Sequence, residues 1–115
     1  MVRRYVPTIG DIVWINFDPV LGHEQGGFRP AVVITGFEAN RVLGMLSCIP
    51  LATSIKGYPF EVAISSERDS VALCDQVRSV DWKARKVEKK GTVMPDELLE
   101  IQEKISALFE LPNFD

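Results

Sequence analysis

The sequence predicts a mainly β fold closed by a C-terminal helix: a small barrel-like sheet with one helix attached. Three observations carry that prediction. Short runs rich in β-branched and aromatic residues recur between positions 11 and 80, most of them ended by a turn signal. After Gly91 the apolar residues change from strand spacing to helical spacing. No repeat, linker or low-complexity segment interrupts the 115 residues, a length that suits one domain.

The elements follow in order. "DIVWINF" (11–17) reads as a strand that stops at the turn signal Asp18-Pro19. "AVVIT" (31–35) is apolar on consecutive positions, which predicts a strand buried on both faces. "LGMLSCIP" (43–50) is a third strand, ended by Pro50. In "FEVAIS" (60–65), Phe60, Val62 and Ile64 alternate with Glu61 and Ala63, the pattern of a half-exposed strand. The segment 71–80 supplies one or two further short strands, and the basic stretch after it can continue the sheet. Finally, Leu98, Ile101, Ile105 and Leu108 share one helical face. Pro95 suits the first turn of that helix, where its missing N–H costs nothing, and Asp96 and Glu97 favour the positive end of the helix dipole.

Composition narrows the class. With 46% hydrophobic and 25% charged residues the chain reads as an ordinary globular protein that needs neither metal nor disulfide to fold. No apolar leader segment and no run near the ~20 residues of a membrane span is present, so a cytoplasmic protein is expected. Cys48 and Cys74 lie in apolar stretches without CxxC spacing, and are expected as buried, reduced thiols. One histidine and no clustered ligand pattern leave no metal site, and neither a nucleophile elbow nor a P-loop occurs, so no cofactor is expected.

The net charge of −3 hides an uneven distribution. Between 78 and 90 stand Arg78, Lys83, Arg85, Lys86, Lys89 and Lys90, opposed only by Asp81 and Glu88. The C-terminal segment is acidic. A solvated strand face explains this pattern, but a basic surface with Trp82 inside it would also suit a polyanion.

The connection at 18–28, "DPVLGHEQGGF", is longer than most strand connections and has little to bury. Long glycine-containing loops on rigid sheets often carry function. Arg29 follows it, and Pro30 keeps the backbone of Arg29 extended. A guanidinium at the mouth of a strand can grip a phosphate in two places. His23 and Glu24 lie near enough to move protons. The plainer alternative is an Arg29–Glu24 ion pair that pins the loop. Thr53, Ser54 and Lys56 follow the third strand and are equally natural as turn residues.

Taken together, several segments carry a resemblance. They are "RYVPTIGDIVWINFDP" (4–19), "GHEQGGFRPAVVIT" (22–35) with E-Q-x-G-x-R-P at 24–30, "KGYPFEV" (56–62), "VALCDQVRSVDW" (71–82) and "KKGTVMPDEL" (89–98). Each alone is weak. Their order and spacing resemble the MazF (PemK-type) toxins, sequence-specific endoribonucleases of bacterial toxin–antitoxin pairs. The resemblance implies an SH3-like small β-barrel with a C-terminal helix, acting as a homodimer and neutralised by an acidic MazE-type antitoxin. It also implies metal-independent cleavage of single-stranded RNA to 2′,3′-cyclic phosphate and 5′-hydroxyl ends. By that resemblance Arg29 matches the catalytic arginine and Glu24 the loop glutamate. The family often places a catalytic threonine two residues after the proline matching Pro50. Here that position is Ala52, and Thr53 is the nearest hydroxyl. His23, Gln25, Lys56, Gln76 and Arg78 are the candidate RNA contacts.

Two other functions remain open. A CcdB-like toxin, similar in fold, would bind a protein target and would not call for Arg29 beside Glu24. A plain SH3-like adaptor would need Trp14, Phe17, Tyr58 and Trp82 gathered on one exposed groove.

Overall fold

The computed structural model describes residues 4–18, 22–23 and 27–112. The chain runs β1 (Asp11–Asn16), β2 (Phe28–Val33), α1 (Phe37–Leu43), β3 (Met45–Ala52), β4 (Glu61–Ala63), β5 (Val71–Leu73), β6 (Arg78–Asp81), β7 (Glu88–Thr92) and α2 (Pro95–Phe109). All strand pairs are antiparallel, in the order β4-β5-β3-β2-β1-β7, with β6 also pairing along β3. Among the described residues, no helix is long and apolar enough to cross a membrane.

Strand alternation explains why the central strands are apolar throughout. Ile12 on β1, Val32 on β2 and Ile49 and Leu51 on β3 point to one face, where they meet Val62, Ile64, Val93 and Ile101. Their neighbours Val13, Ile15, Ala31, Val33, Leu46 and Cys48 point to the other face and pack with Phe17, Val80 and Trp82. Val32 and Val33 are both fully buried, so "AVVIT" is covered on both sides as its composition predicts. β2, however, begins three residues earlier than that run, at Phe28, and β3 continues past Pro50 to Ala52. Pro50 sits within β3 opposite Ala31 and does not end it.

α2 covers the first face. Ile101 is fully buried, and Leu98 and Ile105 pack beside it. Truncating a side chain such as Ile101 to alanine costs about 2–5 kcal/mol in well-packed cores. Glu97 does more than favour a dipole. Its carboxylate is buried and accepts the N–H of Met94 at 2.9 Å and of Ser65 at 2.6 Å, tying the helix start to the residues after β4. Burial alone would raise its pKa, but these hydrogen bonds outweigh that and hold it below the ordinary carboxylate range.

α1 is an element that apolar periodicity did not reveal. It has seven residues, and its one buried side chain is polar: Asn40. The Asn40 amide donates to the carbonyls of Pro7 at 2.8 Å and Thr35 at 3.0 Å, and accepts from the Thr35 hydroxyl at 2.6 Å. Its backbone carbonyl takes the Trp82 indole N–H at 2.9 Å. Hydrogen bonds, rather than an apolar stripe, dock this helix. Gly44, at φ 68°, closes it in the left-handed conformation that glycine adopts without strain.

Both cysteines are free and buried, and burial pushes each thiol up to about 12.

Candidate active site

The 18–28 connection leaves β1 after Asn16 and enters β2 at Phe28, and these two residues are the last paired positions of the two strands. Beyond them the Phe17 N–H donates to the Gly27 carbonyl at 2.9 Å, and the Gly27 N–H donates to the Asp18 carboxylate at 2.8 Å. Gly27 has φ 79°, a conformation in which a side chain would be strained. Trp14 and Phe28 stack across this pair, with centroids 5.4 Å apart and planes 14° from parallel. The connection therefore rises from a closed stem.

Arg29 is half-buried on β2, opposite Ile15 of β1. Its Nη1 donates to the Leu51 carbonyl at 3.2 Å. Thr53 stands two residues beyond that carbonyl, just past the end of β3, and is exposed. Ala52 is buried against Val71, Leu73 and Tyr58. The apolar position and the accessible hydroxyl thus sit on consecutive residues near Arg29.

Beside them lies a polar groove. One cavity of about 390 Å³ is lined by His23, Asp75, Gln76, Val77 and Arg78. A second, of about 190 Å³, is lined by His23, Ser54, Lys56, Tyr58, Glu61, Leu73 and Gln76. His23 and Gln76 border both. Four candidate RNA contacts chosen from sequence, His23, Lys56, Gln76 and Arg78, therefore come together although up to 55 positions separate them. Glu24 and Gln25 lie outside the described residues.

The groove's walls include groups that sequence reading passed over. The Glu61 carboxylate accepts the N–H groups of Lys56 at 3.0 Å and Gly57 at 2.7 Å and so shapes the turn that presents Lys56. The Tyr58 hydroxyl donates to Asp75 at 2.7 Å; burial, then that carboxylate, push its pKa well above the usual phenol value. The tandem Asp75-Gln76 after a short strand was the available signal for this wall. Arg78 is bonded within the protein: its Nη1 donates to the Phe17 carbonyl at 2.6 Å, and its guanidinium lies 5.6 Å over the Phe17 ring.

Trp82 corrects one expectation. It is buried, at 7% exposure, and belongs to the core of the second face rather than to the basic surface. Phe17 is buried as well, so the four aromatics an adaptor groove would need are not gathered at the surface. Among the described residues no group of three His, Cys, Asp or Glu side chains could hold a metal ion.

A small antiparallel barrel-like sheet with a C-terminal helix, and a polar groove lined by His23 of the 18–28 connection and by Arg78 of β6, define a class already known. Residues 8–109 match the PemK-like, MazF-like toxins of type II toxin–antitoxin systems, and the chain belongs to that family. The endoribonuclease toxin MazF of Escherichia coli K12 is 56% identical over 109 residues, covering 94% of this chain and 98% of that protein. The endoribonuclease EndoA of Bacillus subtilis is 31% identical over 113 residues, covering 91% and 96%. The crystal structure of MazF from Deinococcus radiodurans superposes with a TM-score of 0.88 at 40% identity, over 94% of this chain and all of that one. A MazE–MazF complex from the same organism matches with a TM-score of 0.83 at 40% identity, over 95% of this chain and 100% of that one. The fold expected from sequence, a β sheet with a C-terminal helix, is the fold of these toxins.

Proposed function

We propose that this toxin is an endoribonuclease of a type II toxin–antitoxin system that cuts single-stranded RNA without a metal ion, using Arg29, Thr53 and Glu24. The observation that carries the reading is that Arg29 on β2 reaches the Leu51 carbonyl two residues before exposed Thr53, while Ser54, next in the chain, lines with His23, Lys56 and Gln76 a cavity adjoining the one that Arg78 borders. The 56% identity to an endoribonuclease toxin over nearly the whole chain supports it.

RNA brings its own nucleophile. The 2′-oxygen attacks the adjacent phosphorus, the bond to the 5′-oxygen breaks, and the products are a 2′,3′-cyclic phosphate and a 5′-hydroxyl. The protein must orient the phosphate, accept the 2′-hydroxyl proton, let a proton reach the departing 5′-oxygen and stabilise the negative charge that builds on the non-bridging phosphate oxygens. Arg29 suits the last task. Its guanidinium is half-buried with Nη1 on the Leu51 carbonyl, and its planar fork suits a bidentate, charge-assisted grip on phosphate. Thr53 offers an exposed hydroxyl as a further donor, and Glu24 is the proposed base. His23, Gln25, Lys56, Gln76 and Arg78 contact the strand and its base edges.

We further propose a cytoplasmic homodimer inhibited by a MazE-type antitoxin. Val42 and Leu43 of α1 and Met45 of β3 are exposed apolar neighbours, at 67%, 69% and 39%, and a second copy would cover them. An apolar cavity of about 410 Å³ over Tyr5, Val6, Trp82 and Val87, rimmed by Arg4, Arg41, Lys83 and Lys86, suits an acidic antitoxin segment bearing apolar side chains.

The decisive experiment is incubation of the purified protein with labelled RNA in excess EDTA. Cleavage should proceed, and should stop when the 2′-hydroxyl at the cut site is replaced by hydrogen. Activity that vanishes with chelator and returns with Mg²⁺ would overturn the mechanism.

A further inference from the structure

Nothing in the proposed mechanism uses Arg85, yet its guanidinium makes specific backbone contacts beside the groove. Its Nη1 donates to the Asn16 carbonyl and, at 3.4 Å, to the Asp18 carbonyl. Arg78 serves the carbonyl between them, that of Phe17, at 2.6 Å. Three consecutive carbonyls at the exit of β1 are thus each bonded by an arginine. The reason is topological. β1 pairs with β7 only as far as Trp14↔Glu88 and with β2 only as far as Asn16↔Phe28, so the carbonyls of residues 16–18 lie at or beyond the ends of these ladders and need other donors.

The donor is held in place beforehand. Arg85 sits in the turn between β6 and β7, where its own N–H donates to the Asp81 carbonyl at 3.1 Å and the Ala84 N–H donates to the Asp81 carboxylate at 2.9 Å. The Val87 N–H closes the turn on the carbonyl of buried Trp82 at 3.1 Å. A turn fixed to the core of one face therefore reaches across to the stem of the 18–28 connection.

We infer that Arg85 is a positioning residue for RNA cleavage, acting through the backbone of residues 16–18 to keep His23 over the groove and Arg29 aligned at its edge. The inference rests on the endoribonuclease reading. It differs from a phosphate-contact role for Arg85, which would act on binding rather than on turnover.

The test compares wild type, Arg85→Ala and Arg85→Lys in steady-state cleavage of a short labelled RNA at several salt concentrations. Amide hydrogen exchange is followed in parallel at Phe17, whose N–H bonds to the Gly27 carbonyl, and at Val32 in the sheet centre. In Arg85→Ala, kcat should fall about tenfold or more, as small misplacements of reacting groups do, while KM and its salt dependence stay near wild type. Exchange at Phe17 should accelerate and exchange at Val32 should not. Arg85→Lys should recover part of kcat, because an ammonium keeps the charge without the rigid fork. A KM that rises while the salt slope falls by about one would make Arg85 a phosphate contact and overturn the inference. Unchanged Phe17 exchange in Arg85→Ala would overturn the clamp by itself. Wild-type protein that cuts no RNA would instead overturn the endoribonuclease reading, a failure visible before any variant is compared.

Discussion

Two regions of the molecule tie charged side chains to the backbone, and they do so in opposite senses. Around the 18–28 connection, half-buried Arg29, Arg78 and Arg85 donate to carbonyls. Around α2 and the residues before β1, buried carboxylates accept. Glu97 takes the N–H groups of Ser65 and Met94, and Asp11 takes the Thr8 N–H at 3.1 Å and the Tyr5 hydroxyl. Burial and then Asp11 push the Tyr5 hydroxyl far above its ordinary pKa. Asp11 and Glu97 are 2% and 8% exposed, so no ligand reaches them, and their bonds serve the fold alone. The arginines reach backbone carbonyls from half-buried positions, nearer to solvent than either carboxylate. Charge bonded where water is excluded holds the fold together, whereas the half-buried arginines organise a surface that a polyanion can approach.

The sharpest way to break this contrast is at Arg29. Arg29→Ala should lower the cleavage rate by about a hundredfold or more, the scale of losing a transition-state donor, with a thermal midpoint close to wild type. Arg29→Lys should restore only part of the rate. A normally active alanine variant would remove Arg29 from catalysis.

Glu97 should behave in the reverse way. Glu97→Ala removes the acceptor of the Ser65 and Met94 N–H groups and with it the helix cap, and should cost about 0.5–2 kcal/mol in denaturant unfolding, with cleavage per folded molecule unchanged. The pH dependence follows from the lowered pKa. The folded state binds this proton less readily than the unfolded state, so the stabilisation is full above the ordinary carboxylate value of 4.5 and is lost as pH falls below it. The stability gap between wild type and Glu97→Gln should therefore narrow on acidification from pH 5. A gap constant over that range would mean that the carboxylate's charge is not what matters.

Thr53 sharpens the comparison at the rim. Thr53→Ala should slow cleavage by roughly tenfold, about 1.4 kcal/mol, and leave the thermal midpoint unaltered because the side chain is exposed. A rate equal to wild type would send the search for a donor elsewhere in the groove. The smallest effect is expected from alkylation. With both thiols buried and pushed up to about 12, Cys48 and Cys74 should react with iodoacetamide at pH 8 only after unfolding. Rapid labelling of the native protein, read by mass spectrometry, would show that one of the two core faces opens.

Much of the fold was legible in sequence because its signals are local. β-branched runs marked the strands, the double-sided burial of β2 showed as consecutive apolar residues, and the spacing of Leu98, Ile101 and Ile105 marked α2. The candidate site is legible in part: the Arg29-Pro30 pair marks an extended arginine, and the polar residues His23, Lys56, Gln76 and Arg78 line two cavities that share His23 and Gln76. The part played by Arg85 is not legible in the sequence, because its partners are carbonyls, which every residue carries and no composition reveals.

What the sequence by itself determined is the alternation and spacing of apolar side chains, and with it which segments become strands and where the terminal helix begins. Only the tertiary structure decided which polar groups meet. α1 is docked by Asn40 on Pro7, Thr35 and Trp82, Trp82 is drawn from a basic stretch into the core, and Arg78 and Arg85 are bonded to the exit of β1. The physical reason is the range of the two forces. Hydrophobic burial leaves a periodic imprint along the chain, whereas a hydrogen bond between residues 69 positions apart depends on how the finished strands cross and leaves none.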